Sequence, residues 1–178
     1  MIRIPNKRKS YVSSFCRKVS PGQPPILITH DPLPGKPLKE CFSIVPEHIA
    51  ANGGKQKFGW AVFEFKRVWL EAEFHVVWER EDGVLLDLTP REVSLDKILF
   101  IPDPERKYEG VQINSIFSAI SKKPCVKKFI KLSKAFYAAT NEGDLAHVQS
   151  GQIICPKAVA LKQEMDELSN IIFQEHFG

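Results

Sequence analysis

Residues 69–79 read WLEAEFHVVWE and residues 83–90 read GVLLDLTP, and these two stretches decide the fold that the sequence predicts. Both are rich in apolar and β-branched or aromatic residues and are short enough for strands. The residues EDG at 81–83 form a hairpin turn signal between them. The sequence therefore predicts two antiparallel strands, with His75 on the first and Asp87 on the second.

The register of this hairpin decides whether His75 and Asp87 share a face of the sheet, because side chains alternate between faces along a strand. With Trp78 opposite Val84, the two side chains lie directly opposite each other. With Arg80 opposite Val84, they are diagonal neighbours on one face. An odd register, as a strict two-residue turn would impose, separates them.

A short helix is predicted before the strands, from Cys41 to about residue 51. Apolar residues recur there at helical spacing, the residues NGG at 52–54 are a stop signal, and Pro46 is expected in the first turn. Cys41 therefore lies at the helix N-terminus. Unpaired N–H groups and the helix dipole stabilise a thiolate at such a position.

The remaining segments complete the expected secondary structure. Prolines make residues 1–37 an irregular N-terminal segment with at most a short edge strand at 26–28. Further strands are expected at 58–65 and 98–101. Helices are expected at 111–120, 126–139 and 158–177, with Gly143 after the second of them.

The fold class that follows is α+β: a Cys-bearing helix followed by a small antiparallel sheet, with added C-terminal helices. A core over residues 38–104 and a helical extension over 105–178 are expected to pack as a single domain. A chain of 178 residues is long enough to bury one core of its own.

Composition and charge restrict the partners. The chain is 43% hydrophobic and 26% charged, as soluble globular proteins are. No apolar run approaches the roughly 20 residues that span a bilayer, so no membrane partner is expected. The four cysteines are scattered without paired spacing, which indicates reduced thiols in a cytoplasmic protein. The net charge of +4 permits an acidic partner without requiring one. The basic residues 7–9 are interpreted as a solvated arm, so nucleic acid is not the expected partner.

Cys41, His75 and Asp87 are the candidate catalytic residues. A thiolate nucleophile needs a base to take its proton and a third group to hold that base in the correct tautomer. These residues supply the three roles, and the N–H groups at the helix start are natural oxyanion donors. The predicted function is acyl transfer on a protein, peptide or small amide substrate, with no cofactor.

This order of residues resembles the transglutaminase-like branch of the papain-like cysteine-protease superfamily, in which a Cys-bearing helix precedes strands bearing His and then Asp. The segments EAEFH at 71–75 and DLTP at 87–90, together with Gly59-Trp60, are similar to a group of uncharacterised bacterial proteins. The resemblance covers residues 40–103. It implies an amide or peptide hydrolase, or a transglutaminase-type enzyme, with a Cys-His-Asp triad.

A metal site is a second interpretation of the same residues. Cys41 and His75, joined by Glu73 or Asp87, would hold zinc with one open position, because Glu73 and His75 share a strand face. No dense Cys/His spacing supports this site.

A non-catalytic binding module on the same scaffold is a third interpretation. It would use exposed aromatic side chains, with Trp60 and Trp69 as candidates. It would also use a basic stripe on the middle helix, formed by Lys123, Lys127, Lys131 and Lys134.

Overall fold

The computed structural model describes residues 2–141 and 155–177, and within these ranges the chain forms seven strands and four helices. In chain order they are β1 (Ile2–Arg3), α1 (Ser10–Val19), β2 (Ile26–His30), α2 (Cys41–Asn52), β3 (Lys55–Phe65), β4 (Trp69–Glu79), β5 (Leu85–Asp87), β6 (Lys97–Pro102), β7 (Ile116–Ala119), α3 (Pro124–Thr140) and α4 (Pro156–Phe177). The signal at Gly143 lies outside the described residues.

Five of the strands close into a barrel. Their hydrogen-bonded order is β3-β6-β2-β5-β4, and β4 pairs back onto β3 along the whole length of both strands. The β2–β5 pair is parallel, and the other neighbours in the barrel are antiparallel. β1 pairs with the last two residues of β3, on the edge of β3 that also carries β6. β7 pairs with the first residues of β4.

The predicted α+β fold class, with a helix followed by a small antiparallel sheet, is wrong. The structure is a mixed α/β fold in which the described residues form a closed five-stranded barrel, two further strands and four helices. The difference comes from β2, which inserts between β5 and β6. Thr29 pairs with Leu86, and Ile26 pairs with Phe100. Pairings between residues so far apart in the chain leave no local pattern in the sequence.

The sequence predicted an irregular N-terminal segment, and this prediction is wrong. The prolines delimit regular elements there, because β2 fits between Pro25 and Pro32 and is an internal strand rather than an edge strand. α1 precedes Pro21 and buries one apolar stripe at helical spacing against the barrel. The stripe consists of Val12, Phe15, Cys16 and Val19.

The helix expected at 111–120 is also wrong, because residues 116–119 form β7. The first residues of β4 have a free edge, and pairing with that edge outweighs the local helical spacing. The other elements are confirmed: the strands at 58–65, 69–79, 84–88 and 98–101, and the last two helices, lie where the sequence placed them to within a few residues.

The inner face of the barrel carries apolar side chains from all five of its strands. They are Ile26, Ile28, Ala61, Phe63, Val77, Leu85, Ile98 and Phe100. Gly59 has the same parity and lies opposite His75 in the β3–β4 register. A Cβ at Gly59 would stand 2.2 Å from the Ile101 carbonyl oxygen and 2.5 Å from Phe100 Cζ. The barrel wall beside His75 therefore depends on the absence of a side chain.

Helices cover the outside of the barrel. α1 packs on the outer residues of β3, β4 and β6, and the start of α2 packs on Val76. α3 and α4 pack on each other and on Val68 and Trp69 at the turn between β3 and β4. In the described ranges, no helix is long and apolar enough to cross a membrane.

Candidate active site

The β4–β5 pairing brings His75 and Asp87 together on the inner face of the barrel. Trp78 pairs with Leu86, which is the second of the two even registers considered from the sequence. Asp87 is therefore a diagonal neighbour of His75. His75 Nε2 and Asp87 Oδ1 are 2.8 Å apart, a hydrogen bond in which the ring N–H donates.

Asp87 is held by donors on both of its carboxylate oxygens. Oδ1 also accepts a hydrogen bond from the Thr89 backbone N–H at 3.1 Å, which closes a turn immediately after β5. Oδ2 accepts a hydrogen bond from Arg91 Nε at 3.4 Å. A carboxylate bonded in this way has its orientation set by the fold, and it fixes the His75 ring in turn.

Cys41 is the first residue of α2, as predicted. It packs against Val45 and Val76, and it is near enough to the His75 ring to raise the pKa of that ring. Because Nε2 of the ring is bonded to Asp87, Nδ1 is the nitrogen that remains for the thiol. The structure therefore brings the three predicted site residues together in the order Cys41, His75, Asp87.

All three side chains are buried. Cys41 and His75 are each 3% exposed, and Asp87 is 0% exposed. A surrounding of low dielectric strengthens each interaction between these groups. The same burial means that a substrate carbonyl reaches the thiol only after neighbouring side chains move aside.

The sequence placed Pro46 in the first turn of the helix, and this prediction is wrong. It is the sixth residue of α2, so the Phe42 carbonyl lacks its usual i+4 donor. Ile44 and Val45, directly before the proline, are buried in the core, and their packing holds the helix at this point.

The charges of the site favour an ionised His75–Asp87 pair. Burial by itself lowers the pKa of His75, but charge interactions with Asp87 and Cys41, and the hydrogen bonds that the ring makes to them, raise it to about 10. Burial by itself raises the pKa of Asp87, but the charge and hydrogen bond of His75, then the charge of Arg91, hold it well below its usual range. The imidazolium therefore stabilises the fold below about pH 6.5, and this contribution is lost as the pH rises towards 10. The Asp87 carboxylate contributes above about pH 4 and loses its contribution as the pH falls.

We expect the substitution Cys41→Ser to lower the pKa of His75. The substitution keeps the size of the side chain but removes the sulfur that helps to raise the pKa of the ring. The pKa should stay above the usual value for histidine because Asp87 is still present. An NMR titration of the His75 ring signals measures the change, with the ring signals of His176 in α4 as the internal control. An unchanged His75 titration would show that thiol and ring are not coupled.

Arg91 and Glu73 are functional candidates that the sequence did not identify in these roles. Arg91 Nη1 donates to Glu73 Oε2 at 3.1 Å, so Glu73 is engaged with a guanidinium rather than with a metal. One feature of the sequence could have indicated the Asp87–Arg91 contact: Arg91 is a cation four residues after Asp87, across a Thr-Pro turn.

His30 anchors the segment that follows Asp87. Its ring Nδ1 lies 2.9 Å from the Leu95 carbonyl oxygen, and Nε2 lies 2.9 Å from the Thr89 carbonyl oxygen. His30 is also the β2 partner of Asp87 in the parallel pairing. Since β2 itself was expected at an edge, nothing local in the sequence indicated this contact.

The metal-site interpretation lacks a set of ligands in this structure. Among residues 2–141 and 155–177, no group of three or more His, Cys, Asp or Glu side chains is arranged to hold a metal ion. His75 Nε2, one of the nitrogens that zinc would need, is hydrogen-bonded to Asp87.

The aromatic part of the binding-module interpretation is wrong. Trp60 is 1% exposed and Trp69 is 8% exposed, because α1 covers the first and α3 and α4 cover the second. The basic stripe on α3 is largely exposed, although its first member, Lys123, pairs with Glu175 at 3.1 Å.

Comparison of the chain with protein-family models, curated proteins and solved structures finds no match.

Proposed function

We propose that this protein is a cysteine-dependent acyl-transfer enzyme that acts on an amide or ester carbonyl of a protein, peptide or small amide substrate. One observation carries the proposal: the buried His75 ring is hydrogen-bonded to Asp87, and Cys41, at the start of a helix, is near enough to raise the pKa of the same ring. Each group therefore has the neighbour that its role requires.

The chemistry starts with attack of Cys41 Sγ, as thiolate, on the carbonyl carbon. A C–S bond forms and the carbonyl oxygen becomes an oxyanion, for which the backbone N–H of Cys41 is the donor at the helix start. His75 carries the proton taken from the thiol and returns it to the leaving group as the C–N or C–O bond breaks. Water or an amine then attacks the thioester with His75 as base, and the C–S bond breaks to release the acyl product and restore the Cys41 thiolate. Asp87 holds the Nε2–H throughout, so that Nδ1 faces the thiol.

A relationship to transglutaminase-like proteins belongs to the same proposal. It is supported by the order of the three residues, with Cys41 on a helix, His75 on the long strand and Asp87 at the end of the next strand. A cytoplasmic location belongs to it as well, because the four cysteines are free and thiols persist in a reducing compartment.

A non-catalytic binding module is the second candidate. The burial of the Cys41 thiol favours it, because a thiol that never becomes accessible performs no chemistry. The two candidates differ in whether Cys41 accepts an acyl group.

Acetylation by p-nitrophenyl acetate tests the proposal. We expect release of p-nitrophenolate and an acetyl thioester on Cys41, located by peptide mass spectrometry after an acid quench at about pH 6. Cys125 is the internal comparison, since partial burial and the neighbouring Glu175 raise the pKa of its thiol and keep it protonated there. Hydroxylamine added as acceptor should accelerate turnover.

The contrary outcomes are also specific. A Cys41 that stays unmodified in a protein free of zinc would support the binding module. Stoichiometric zinc measured in the same preparation would support the metal site. Either result would end the acyl-transfer proposal.

A further inference from the structure

We propose that Arg91 is a positioning residue of this site, which holds Asp87 and the His75-bearing strand in one arrangement so that the imidazole presents Nδ1 to the thiol. This inference rests on the proposed function, because it assigns Arg91 a role in the same reaction. Arg91 touches neither Cys41 nor the reacting carbonyl in this mechanism, and it acts through Asp87.

The need for such a residue arises because the backbone pairing of Asp87 does not orient its carboxylate. Asp87 pairs with His30 of β2, and its carbonyl oxygen accepts a hydrogen bond from the Asp31 N–H at 2.8 Å, but neither contact involves the side chain. β5 has three residues, and two of them, Leu85 and Leu86, pair with β4. Asp87 itself stands at the strand end, where β4 contributes the His75 side chain and no backbone pairing. The orientation of its carboxylate therefore depends on side-chain and turn contacts.

The turn after β5 returns Arg91 to the carboxylate. The Thr89 N–H bond to Asp87 Oδ1 closes the first part of the turn, and Pro90 fixes the backbone dihedral that follows. Arg91 Nε then reaches Oδ2 at 3.4 Å. Because Oδ1 is used by His75 and Thr89, the Arg91 contact is the one that holds the second oxygen and so adds to the restraint on rotation of the carboxylate.

Arg91 is itself held from two directions. Its Nη1 donates to Glu73 Oε2 at 3.1 Å, and its guanidinium carbon lies 4.6 Å from the centre of the Phe63 ring. Glu73 lies two residues before His75 on the same face of β4. The contacts therefore form a closed circuit from His75 through Asp87, Arg91 and Glu73 back to the His-bearing strand.

The charges along this circuit alternate in sign. The Arg91 side chain is 8% exposed and lies between the carboxylates of Glu73 and Asp87, which compensate for removing its charge from water. Beyond Glu73, burial and the Glu73 charge raise the pKa of Glu71 to about 7, so Glu71 is partly protonated near neutral pH. Glu73 is thus the carboxylate that balances Arg91 on this side.

Three variants test the role of Arg91 against a matched control. Arg91→Met removes the guanidinium, Arg91→Lys keeps the charge without the planar fork, and Glu73→Gln keeps an acceptor for Nη1. The control is Arg106→Met, because Arg106 also pairs with a buried aspartate, Asp103, and also lies over an aromatic ring, that of Trp60.

The first readout is the NMR signal of the His75 Nε2 proton, which does not depend on turnover. In the wild type we expect a downfield signal protected from exchange with water, because the proton is buried and bonded to Asp87. Arg91→Met should broaden or abolish this signal, since the carboxylate is then held through Oδ1 alone and is less restrained. Arg106→Met should leave it unchanged.

The second readout is the rate of Cys41 acetylation by p-nitrophenyl acetate. We expect Arg91→Met to slow it about 10- to 100-fold, the range seen when an orienting partner outside the reacting groups is removed. Arg91→Lys should recover part of the loss, and Glu73→Gln should lose less than Arg91→Met because it keeps an acceptor for Nη1. A role in folding alone would lower the melting temperature without this order of rates.

The outcomes separate this inference from the proposed function. A wild type that forms no thioester contradicts the proposed function, while the His75 signal still decides whether Arg91 orients Asp87. An Arg91→Met protein with a normal His75 signal and a normal rate overturns the inference. If Arg91→Met does not fold, the same two measurements are made on Arg91→Lys, which retains the buried charge and alters only the geometry. A normal His75 signal and a normal rate in that variant overturn the inference.

Discussion

The substitution Cys41→Ala is expected to reduce the release of p-nitrophenolate from p-nitrophenyl acetate to the uncatalysed rate. The reaction then has no nucleophile, and loss of the nucleophile from such a group of residues typically lowers turnover by about ten-thousandfold or more. The fold should survive, because one small buried atom is removed from a site next to Val45 and Val76, at a destabilisation of about 1 kcal/mol. Steady-state kinetics and a urea titration measure the two effects.

Cys16→Ala is the matched control for this prediction. Cys16 is as buried as Cys41, but it packs in α1 against the outer face of the barrel, and burial raises the pKa of its thiol to about 11. The same chemical change at Cys16 should alter stability to a similar degree and leave turnover as in the wild type. If Cys41→Ala retains more than half of the activity, Cys41 is not the nucleophile. That result would remove the basis for the acyl-transfer proposal.

The two substitutions Asp87→Leu and Asp87→Asn should separate the structural effect of this carboxylate from its catalytic effect. Asp87→Leu leaves the buried charges of His75 and Arg91 without their shared partner, which we expect to destabilise the fold by about 3–5 kcal/mol. Asp87→Asn keeps an acceptor for one donor, so we expect a folded protein whose turnover is lower by about a hundred- to ten-thousandfold. Urea unfolding followed by tryptophan fluorescence measures the first effect, and the p-nitrophenyl acetate assay measures the second.

Asp103→Asn provides the comparison at a second buried aspartate. Asp103 accepts a hydrogen bond from Trp60 Nε1 at 2.9 Å and pairs with Arg106, so its substitution should also lower stability. Its turnover per folded molecule should match the wild type, because it has no contact with His75. Equal losses of turnover in the Asp87 and Asp103 variants would mean that Asp87 acts on stability alone.

Parts of the site followed from the sequence because they depend on local geometry. Side chains alternate along a strand, so His75 and Glu73 had to share a face once residues 69–79 were recognised as a strand. Apolar residues at helical spacing before the glycines at 53 and 54 predicted the helix that begins at Cys41. Such inferences need only the conformational preferences of neighbouring residues.

Other parts depended on contacts that no window of sequence contains. The choice between two even registers of the β4–β5 hairpin was made by the turn and the barrel packing, and it placed Asp87 diagonal to His75. Trp60 and Trp69 are buried because helices from both ends of the chain pack over them, although the sequence alone suggested exposed aromatics.

The sequence by itself determined the long strand with His75, the short strand with Asp87 and the helix that begins at Cys41, since each depends on local conformational preference. The tertiary structure alone decided that β2 closes these strands into a barrel and that Arg91 returns to Asp87 and Glu73. The physical reason is that strand pairing and buried ion pairs form between residues brought together by the burial of apolar surface over the whole chain, which local preferences do not encode.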